Sequence, residues 1–223
     1  VRSGRGRSGE SGSFCTDRAE FPLESFHNFM SLAPWRSPLA AALHRNRSLR
    51  YSRYLQLATV DLRGRPANRT VVFRGFLEGS DRLEVVTDGR TQKMIQIRQN
   101  PQVEACWYFP KTREQFRIGG RMAIADGNCP DAILQRERSR IWQNLSDAAR
   151  SQFTWSAPGR DRSSEPEVLE SPSPDPDRPL ANFCLLLLNP DRVDRLSLQE
   201  NPHERWIYQL EGDREWSVRA VNP

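Results

Sequence analysis

Tyr54-Leu55-Gln56-Leu57-Ala58-Thr59-Val60, followed after a short break by Arg69-Thr70-Val71-Val72-Phe73-Arg74, is the stretch that decides the fold. β-Branched and aromatic residues dominate both runs, and their period is that of strands. Between them Leu62-Arg63-Gly64-Arg65 reads as a hairpin turn, so segments 54–61 and 66–77 are expected to pair antiparallel. Working outward, 82–87 is a third strand and 91–99 a short helix stopped by Asn100-Pro101. Two more strands, 103–109 and 114–125, flank a turn at Pro110 and Lys111.

Towards the N-terminus, Ser37-Pro38 opens a helix that reaches about residue 49. Ser37 is its expected cap, and Pro38 suits the first turn, where no amide donor is needed. Towards the C-terminus, 130–153 reads as one long helix. Ile133, Leu134, Ile141, Trp142, Leu145 and Ala149 recur at helical spacing, with Asp131 in the first turn. Segment 157–179, rich in Pro, Ser, Asp and Glu, is expected to be a flexible excursion. Strands resume at 182–188, 192–198, 205–210 and 215–221. Short strands with hairpin-length connections and few helices describe a mainly β protein, an antiparallel barrel with flanking helices. Closure would remove the exposed edges that such strands otherwise leave.

The totals narrow the function classes. A chain of 223 residues suffices for one sizeable core, placed at 30–223. Hydrophobic content of 37%, 27% charged residues and a mean hydropathy of -0.72 imply that part of the chain stays unpacked. Residues 1–29, Gly-, Ser- and Arg-rich at first, are expected to be disordered or to lie upstream of a true start at Met30. No apolar run approaches the ~18–20 residues of a membrane-spanning helix. The net charge of +5 and pI near 9.4 raise a nucleic-acid reading. It is set aside because the arginines are spread among acids, as in Arg136-Glu137-Arg138. Cys15, Cys106, Cys129 and Cys184 form no C-x-x-C pair and have no histidine at ligand spacing, so no metal site is expected. Free thiols suit a reducing cytoplasm. Trp107, Trp142 and Trp206 are read as core or interface residues.

Three motifs carry chemistry: Arg69 to Arg74 on one strand, then Thr87-Asp88-Gly89-Arg90-Thr91-Gln92-Lys93, then Gln115-Phe116-Arg117-Ile118-Gly119-Gly120. Arg69, Arg74 and Lys93 are candidates for binding a phosphate, arginine through its fork and lysine as a point charge. Five residues apart on one strand, Arg69 and Arg74 face opposite ways unless the strand bulges. Val86 and Thr87 end a strand, and Lys93 lies in the first turn of the next helix, where an anion is also favoured by the helix N-terminus.

The order and spacing of these motifs resemble the pyridoxamine 5′-phosphate oxidase family of FMN-binding split barrels. The resemblance implies FMN as cofactor, a homodimer with the flavin between two chains, and oxidation of a small-molecule substrate. In that family a strand beginning with Arg and ending with Lys lines the flavin; here it is Arg69, Thr70, Val71, Val72, Phe73 and Arg74, with arginine replacing the lysine. The Arg-Lys pair that grips the phosphate is matched by Gln92-Lys93, with Arg90 a candidate to replace the missing charge. Gln115 matches a cofactor-contacting glutamine. His203-Glu204-Arg205-Trp206-Ile207-Tyr208-Gln209 is similar to the family's His-Asp-Arg-Phe-Leu-Tyr-Gln, giving Arg205 a flavin contact and His203 a substrate-side role. The chain departs from the family at Leu196 and Asn201, which stand where it has a tryptophan and an arginine. Its substrate-phosphate Tyr, Arg and Ser fall at Gln143, Asp147 and Ser151. The substrate is therefore left open. The alternatives are the family's own oxidation of pyridoxamine or pyridoxine 5′-phosphate to pyridoxal 5′-phosphate, or a non-catalytic flavin-binding module.

Overall fold

A run of six apolar residues, Phe183 to Leu188, is buried on both sides, and around it the sheet closes. The structure, a computed structural model, describes residues 32–161, 173–212 and 215–223. The expectations for residues 1–29, and for 162–172 of the excursion, lie outside the described residues. In chain order come α1 (Arg36–Asn46), β1 (Tyr54–Val60), β2 (Pro66–Phe76), β3 (Leu83–Asp88), α2 (Gln92–Gln99), β4 (Gln102–Phe109) and β5 (Glu114–Ala125). Then follow α3 (Ala132–Gln143), α4 (Asp147–Ser151), β6 (Phe183–Ser197), β7 (Glu204–Leu210) and β8 (Trp216–Val221).

The strands form one antiparallel sheet in the order β3-β2-β1-β4-β5-β6-β7-β8, and β3 pairs with β6 as well. Six strands thus close into a barrel, and β7 and β8 extend its wall. The mainly β, split-barrel expectation holds. The deciding hairpin pairs Tyr54 with Val72 through to Val60 with Pro66. Its turn is tied by Asp61, whose carboxylate accepts from the amides of Arg63 and Arg65, and Gly64 supplies a φ of 78°.

Alternation along the strands fills the barrel: Leu55, Leu57, Val71, Phe73, Trp107, Phe116, Ile118 and Val193 belong to one buried cluster. A second cluster lies outside the wall, where Ile141, Trp142 and Leu145 cover Phe183, Leu185 and Leu187. Trp107 and Trp142 are fully buried, in keeping with a core role.

The structure revises several boundaries. α1 starts at Arg36 after Trp35 with no side-chain cap, so Ser37 does not cap it. It ends at Asn46, not near 49, because that buried amide donates to Ala42 O and Thr112 Oγ1 and accepts from Lys111 N. The expected helix 130–153 is two. Asp131 is the cap of α3, accepting from the amides of Ile133 and Leu134, and Ser146 caps α4. Arg150 folds back onto the carbonyls of Trp142, Gln143 and Leu145, satisfying the end of α3. Segments 182–188 and 192–198 are one strand, β6, which passes Pro190 where its register with β5 shifts between Gly119 and Gly120. The C-terminal flank of the excursion is tied to α3 through Trp142 Nε1 to Asp175 O at 2.9 Å and Gln143 Nε2 to Asp177 Oδ1 at 3.2 Å.

At that register shift a Cβ on Gly120 would lie 2.1 Å from Asn189 O and 2.9 Å from Pro190 Cα. Backbone, not a flexible side chain, would have to move. Gly120→Ala is expected to destabilise the fold by at least ~1–3 kcal/mol, read as a lower urea midpoint with unchanged slope.

Candidate functional site

β2 pairs with β1 from Pro66 to Val72 but with β3 only from Phe73 onward. On the β3 side, then, residues 66–72 of β2 present a backbone edge that no described strand covers. Beside this edge lie the end of β3 and the start of α2. The register shift between β2 and β3 falls between Phe73 and Gly75, at Arg74.

Arg69 shares the inward face with Val71 and Phe73. Its Nη1 donates to Thr59 Oγ1 at 2.6 Å, Ala67 O at 2.9 Å and Leu57 O at 3.2 Å. Its Nη2 donates to Gln96 Oε1 at 2.8 Å, and Thr59 Oγ1 donates to the same oxygen at 2.6 Å. Lys93 Nζ donates to Thr87 Oγ1 at 2.8 Å and Thr91 Oγ1 at 3.3 Å. Thr91 precedes α2, whose N-terminus no side chain caps. Among the described residues neither Arg69 nor Lys93 forms an ion pair, since no salt bridge includes them. Burial, and then the charge of Arg69, hold the Lys93 ammonium below its ordinary range, against the weaker pull of Asp88. Burial likewise lowers Arg69. Two half-buried cations close enough to repel each other, with no acid in ion-pair contact among the described residues, at an uncapped helix start, make a place for a dianion.

Other expected residues are placed differently. Arg90 does not replace a charge at Gln92: its guanidinium is bound to Asp88 and to Trp155 O at 2.9 Å. Gln92 is exposed at the first position of α2. Val86 turns away from Lys93 and packs on the α3 cluster. Val71 and Phe73 are core residues, and Thr70 is exposed on the outer face. His203 holds a turn, its Nδ1 2.8 Å from Glu200 O, as a turn residue after Pro202 would.

Arg74 belongs to a second location. It lines a cavity of about 240 Å³ with Arg53, Val72, Arg140, Ile141 and Asn144. The surrounding protein, and then Arg53, hold Arg74 below the usual guanidinium range. Arg69 and Arg74 are thus separated, as opposite strand faces require. The residues that the resemblance aligned with a substrate-phosphate cluster are occupied elsewhere: Gln143 with Asp177, Asp147 with Arg150, and Ser151 with Asp147 O. Arg140 and Asn144 of the same helical region face the cavity instead.

A third group lies on β5, β6 and β7. Strand register sets Gln115 opposite Leu196 and Leu196 opposite Arg205, one row on the outer face. Asp194 holds Arg205 with two bonds, 3.0 Å from Nε and 2.7 Å from Nη2. In the six-strand ring β5 is diametrically opposite β2, with the packed core between. One chain therefore does not bring Gln115 and Arg205 to Arg69 and Lys93.

Sequence reading missed Thr59, Gln96, Thr91 and Asp194, which hold the cations in place, and Arg140 and Asn144. Thr59 and Gln96 are polar residues at inward-facing positions, a signal visible in the alternation of β1 and the helical period of α2.

Comparison with known proteins bears on these three groups. The family described as pyridoxamine 5′-phosphate oxidase, FMN-binding domain, matches residues 32–126. That span includes Arg69, Lys93 and Gln115. A pyridoxine/pyridoxamine 5′-phosphate oxidase 2 of Arabidopsis thaliana is 40% identical over 194 residues, covering 86% of this chain and 98% of the relative. The crystal structure of a pyridoxamine 5′-phosphate oxidase-related, FMN binding protein from Nostoc punctiforme superposes with a TM-score of 0.84 at 55% identity, over 87% of this chain and all of that one (100%). PhzG from Burkholderia lata, at 19% identity and TM-score 0.67 over 85% of this chain and 90% of its own, shares the fold.

Lys93 gives a direct check on the anion site. A lysine held below its ordinary pKa binds fewer protons folded than unfolded, so its charged form costs stability, more so as pH falls. Lys93→Met is expected to keep or raise the melting temperature in ligand-free buffer at pH 7. Millimolar inorganic phosphate is expected to raise the melting temperature of the unaltered protein but not that of Lys93→Met, both read by thermal scanning.

Proposed function

The chain belongs to the pyridoxamine 5′-phosphate oxidase-related, FMN-binding family, and from that premise we propose that it is an FMN-dependent oxidoreductase acting on a small anionic substrate. The observation that carries this is the Arg69–Lys93 pair, two cations with no ion pair among the described residues, beside an open strand edge and an uncapped helix. The FMN phosphate fits there: its charge would offset the burial, and then the repulsion from Arg69, that lower Lys93, and Thr87 and Thr91 offer hydroxyls alongside. The free backbone of β2 before Phe73 can pair with the polar edge of the ring, as one strand pairs with another. FMN supplies hydride acceptance from a substrate carbon and reoxidation by oxygen or another acceptor.

The working unit is a homodimer in this proposal. Gln115 and Arg205 lie across the core from Arg69 and Lys93, so a complete site takes one group from each of two copies. Asp194 fixes Arg205 through Nε and Nη2 and leaves Nη1, unbonded among the described residues, to reach a ligand. The substrate's anionic end is assigned to the cavity of Arg53, Arg74, Arg140 and Asn144. Pyridoxamine 5′-phosphate is the first substrate to test, since the Arabidopsis relative is named an oxidase of it. Free Cys106, Cys129 and Cys184 support a reducing compartment, the cytoplasm.

Purified with FMN present, the protein is expected to be yellow and to release hydrogen peroxide from pyridoxamine 5′-phosphate. Bound flavin that this and related amines leave oxidised would favour a binding module instead. Lys93→Ala should weaken FMN binding by about 10- to 100-fold, the worth of a charge-assisted bond. A mixing experiment tests the shared site. Lys93→Ala and Arg205→Ala chains, each depleted of flavin alone, should regain roughly a quarter of full occupancy when refolded together, because half the dimers carry one intact site. No recovery would mean that the site is built within one chain.

A further inference from the structure

Glu84 is fully buried on the outer face of β3; among the described residues neither carboxylate oxygen has a hydrogen-bond partner of ordinary geometry, and Glu137 lies close enough to contest its proton. A buried carboxyl left in this way is costly unless it acts on something. Its surroundings say on what. Gly75 of β2 makes room, since a Cβ there would lie 3.0 Å from Glu84 Oε2. On β6 its register partner is the buried Leu187, which brings no charge. From α3 come Glu137 and Arg140: Arg140 Nη2 is 3.5 Å from Glu84 Oε2, and Arg140 Nε lies 2.8 and 2.9 Å from the two Glu137 oxygens. Glu78 adds a more distant negative charge towards Arg140. Arg140 then reaches the cavity that it shares with Arg53 and Arg74.

Resting on the reading of that cavity as the substrate's anion site, we infer that Glu84 is a positioning residue for substrate binding, controlling through Arg140 how much positive charge the cavity offers. While Glu84 is neutral, Arg140 answers to one carboxylate, Glu137, and its remaining donors face the ligand. Once Glu84 ionises, a second carboxylate competes for the same guanidinium and repels an incoming phosphate. Burial, and then the adjacent Glu137, push Glu84 up to about 8 against the pull of Arg140. The bond to Arg140, meanwhile, holds Glu137 below the usual carboxylate range. The proton that Glu84 keeps at neutral pH is therefore the one that switches. Affinity for a phosphorylated ligand should fall as pH rises through about 8.

The test is calorimetric titration of the FMN-loaded protein with pyridoxal 5′-phosphate at pH 7 and pH 9. The ligand's own ionisations are common to all variants and cancel in the comparison. The unaltered protein should lose about tenfold more affinity across this range than Glu84→Gln, equivalent to ~1.4 kcal/mol. Glu137→Gln, which keeps Glu84 but removes its repelling neighbour, should move the midpoint of the loss to lower pH and supplies a second readout if Glu84→Gln does not fold. Arg140→Met should weaken binding at pH 7. If Arg140→Met weakens binding while Glu84→Gln keeps the slope of the unaltered protein, the role of Glu84 is overturned and the cavity stands. If Arg140→Met binds as tightly as the unaltered protein, the ligand sits elsewhere and both readings fall.

Discussion

The two-sided burial of β6 is the constraint on which the rest of the molecule depends. Cys184, Leu186 and Leu188 face the barrel interior, while Phe183, Leu185 and Leu187 face the helix outside it. A strand that must bury both faces needs a neighbour on each edge and a layer on each side. β6 has β5 on one edge, and along the other it is shared between β3 and β7. Pairing with β3 closes the barrel; pairing with β7 carries Arg205 into line with Leu196 and Gln115. The same run, through α3, brings Arg140 to the wall of the cavity. Barrel closure, the outer row and the cavity are thus three consequences of one strand.

Charge separates the scaffold from the site. Many of the arginines are committed. Arg138 donates to Phe183 O and Leu180 O, Arg195 to the buried Glu114, and Arg205 to Asp194. These bonds satisfy carbonyls and carboxylates that burial would otherwise leave exposed to an apolar medium. Arg69, Lys93, Arg53 and Arg74 differ, because among the described residues no carboxylate forms an ion pair with them. Arg69 and Lys93 are half-buried as well, which costs stability, and a fold keeps such groups where a ligand supplies the missing charge. Arg69 with Lys93, and Arg53 with Arg74, are two places where cations without an ion pair among the described residues lie close enough to repel each other.

Periodicity made most of the fold legible. Strands with one buried face announced themselves by alternation, and the turn at Gly64 by its residue types. Legibility failed where a tertiary contact, not a local preference, sets the boundary. Asn46 ends α1 because its amide is needed across the chain at Lys111 and Thr112. Ser146 interrupts an otherwise helical period because Arg150 can close the end of α3. Pro190 reads as a strand break, yet the shift beside Gly120 absorbs it. In the site, residues whose charge matters were visible: Arg69, Arg74 and Lys93. Those that hold them, Thr59 and Gln96, show only as polar residues at inward-facing positions, a weaker signal than charge because it names no partner. Arg140 was hidden for a related reason. Its role comes from how α3 lies against the barrel wall, a tertiary placement that helical periodicity does not give.

The same geometry explains why the proposed site must be shared. A six-strand barrel filled by Trp107, Phe116, Ile118 and their neighbours has no room for a ligand in its interior. Ligand groups can be offered only at its ends or on its outer wall. Arg69 and Lys93 take an end, where α2 meets the uncovered edge of β2. Gln115 and Arg205 take the wall on the opposite side. No rotation of side chains joins the two through a packed core. Exposed Tyr54 and Tyr108, on the neighbouring strands β1 and β4, lie between these groups on the outer face. A second copy laid over that face would cover both tyrosines and bring its own cation pair to the glutamine and arginine of the first. Filling the barrel with side chains leaves a ligand only the ends and the outer wall, which is why the proposed site draws on the contact between two copies.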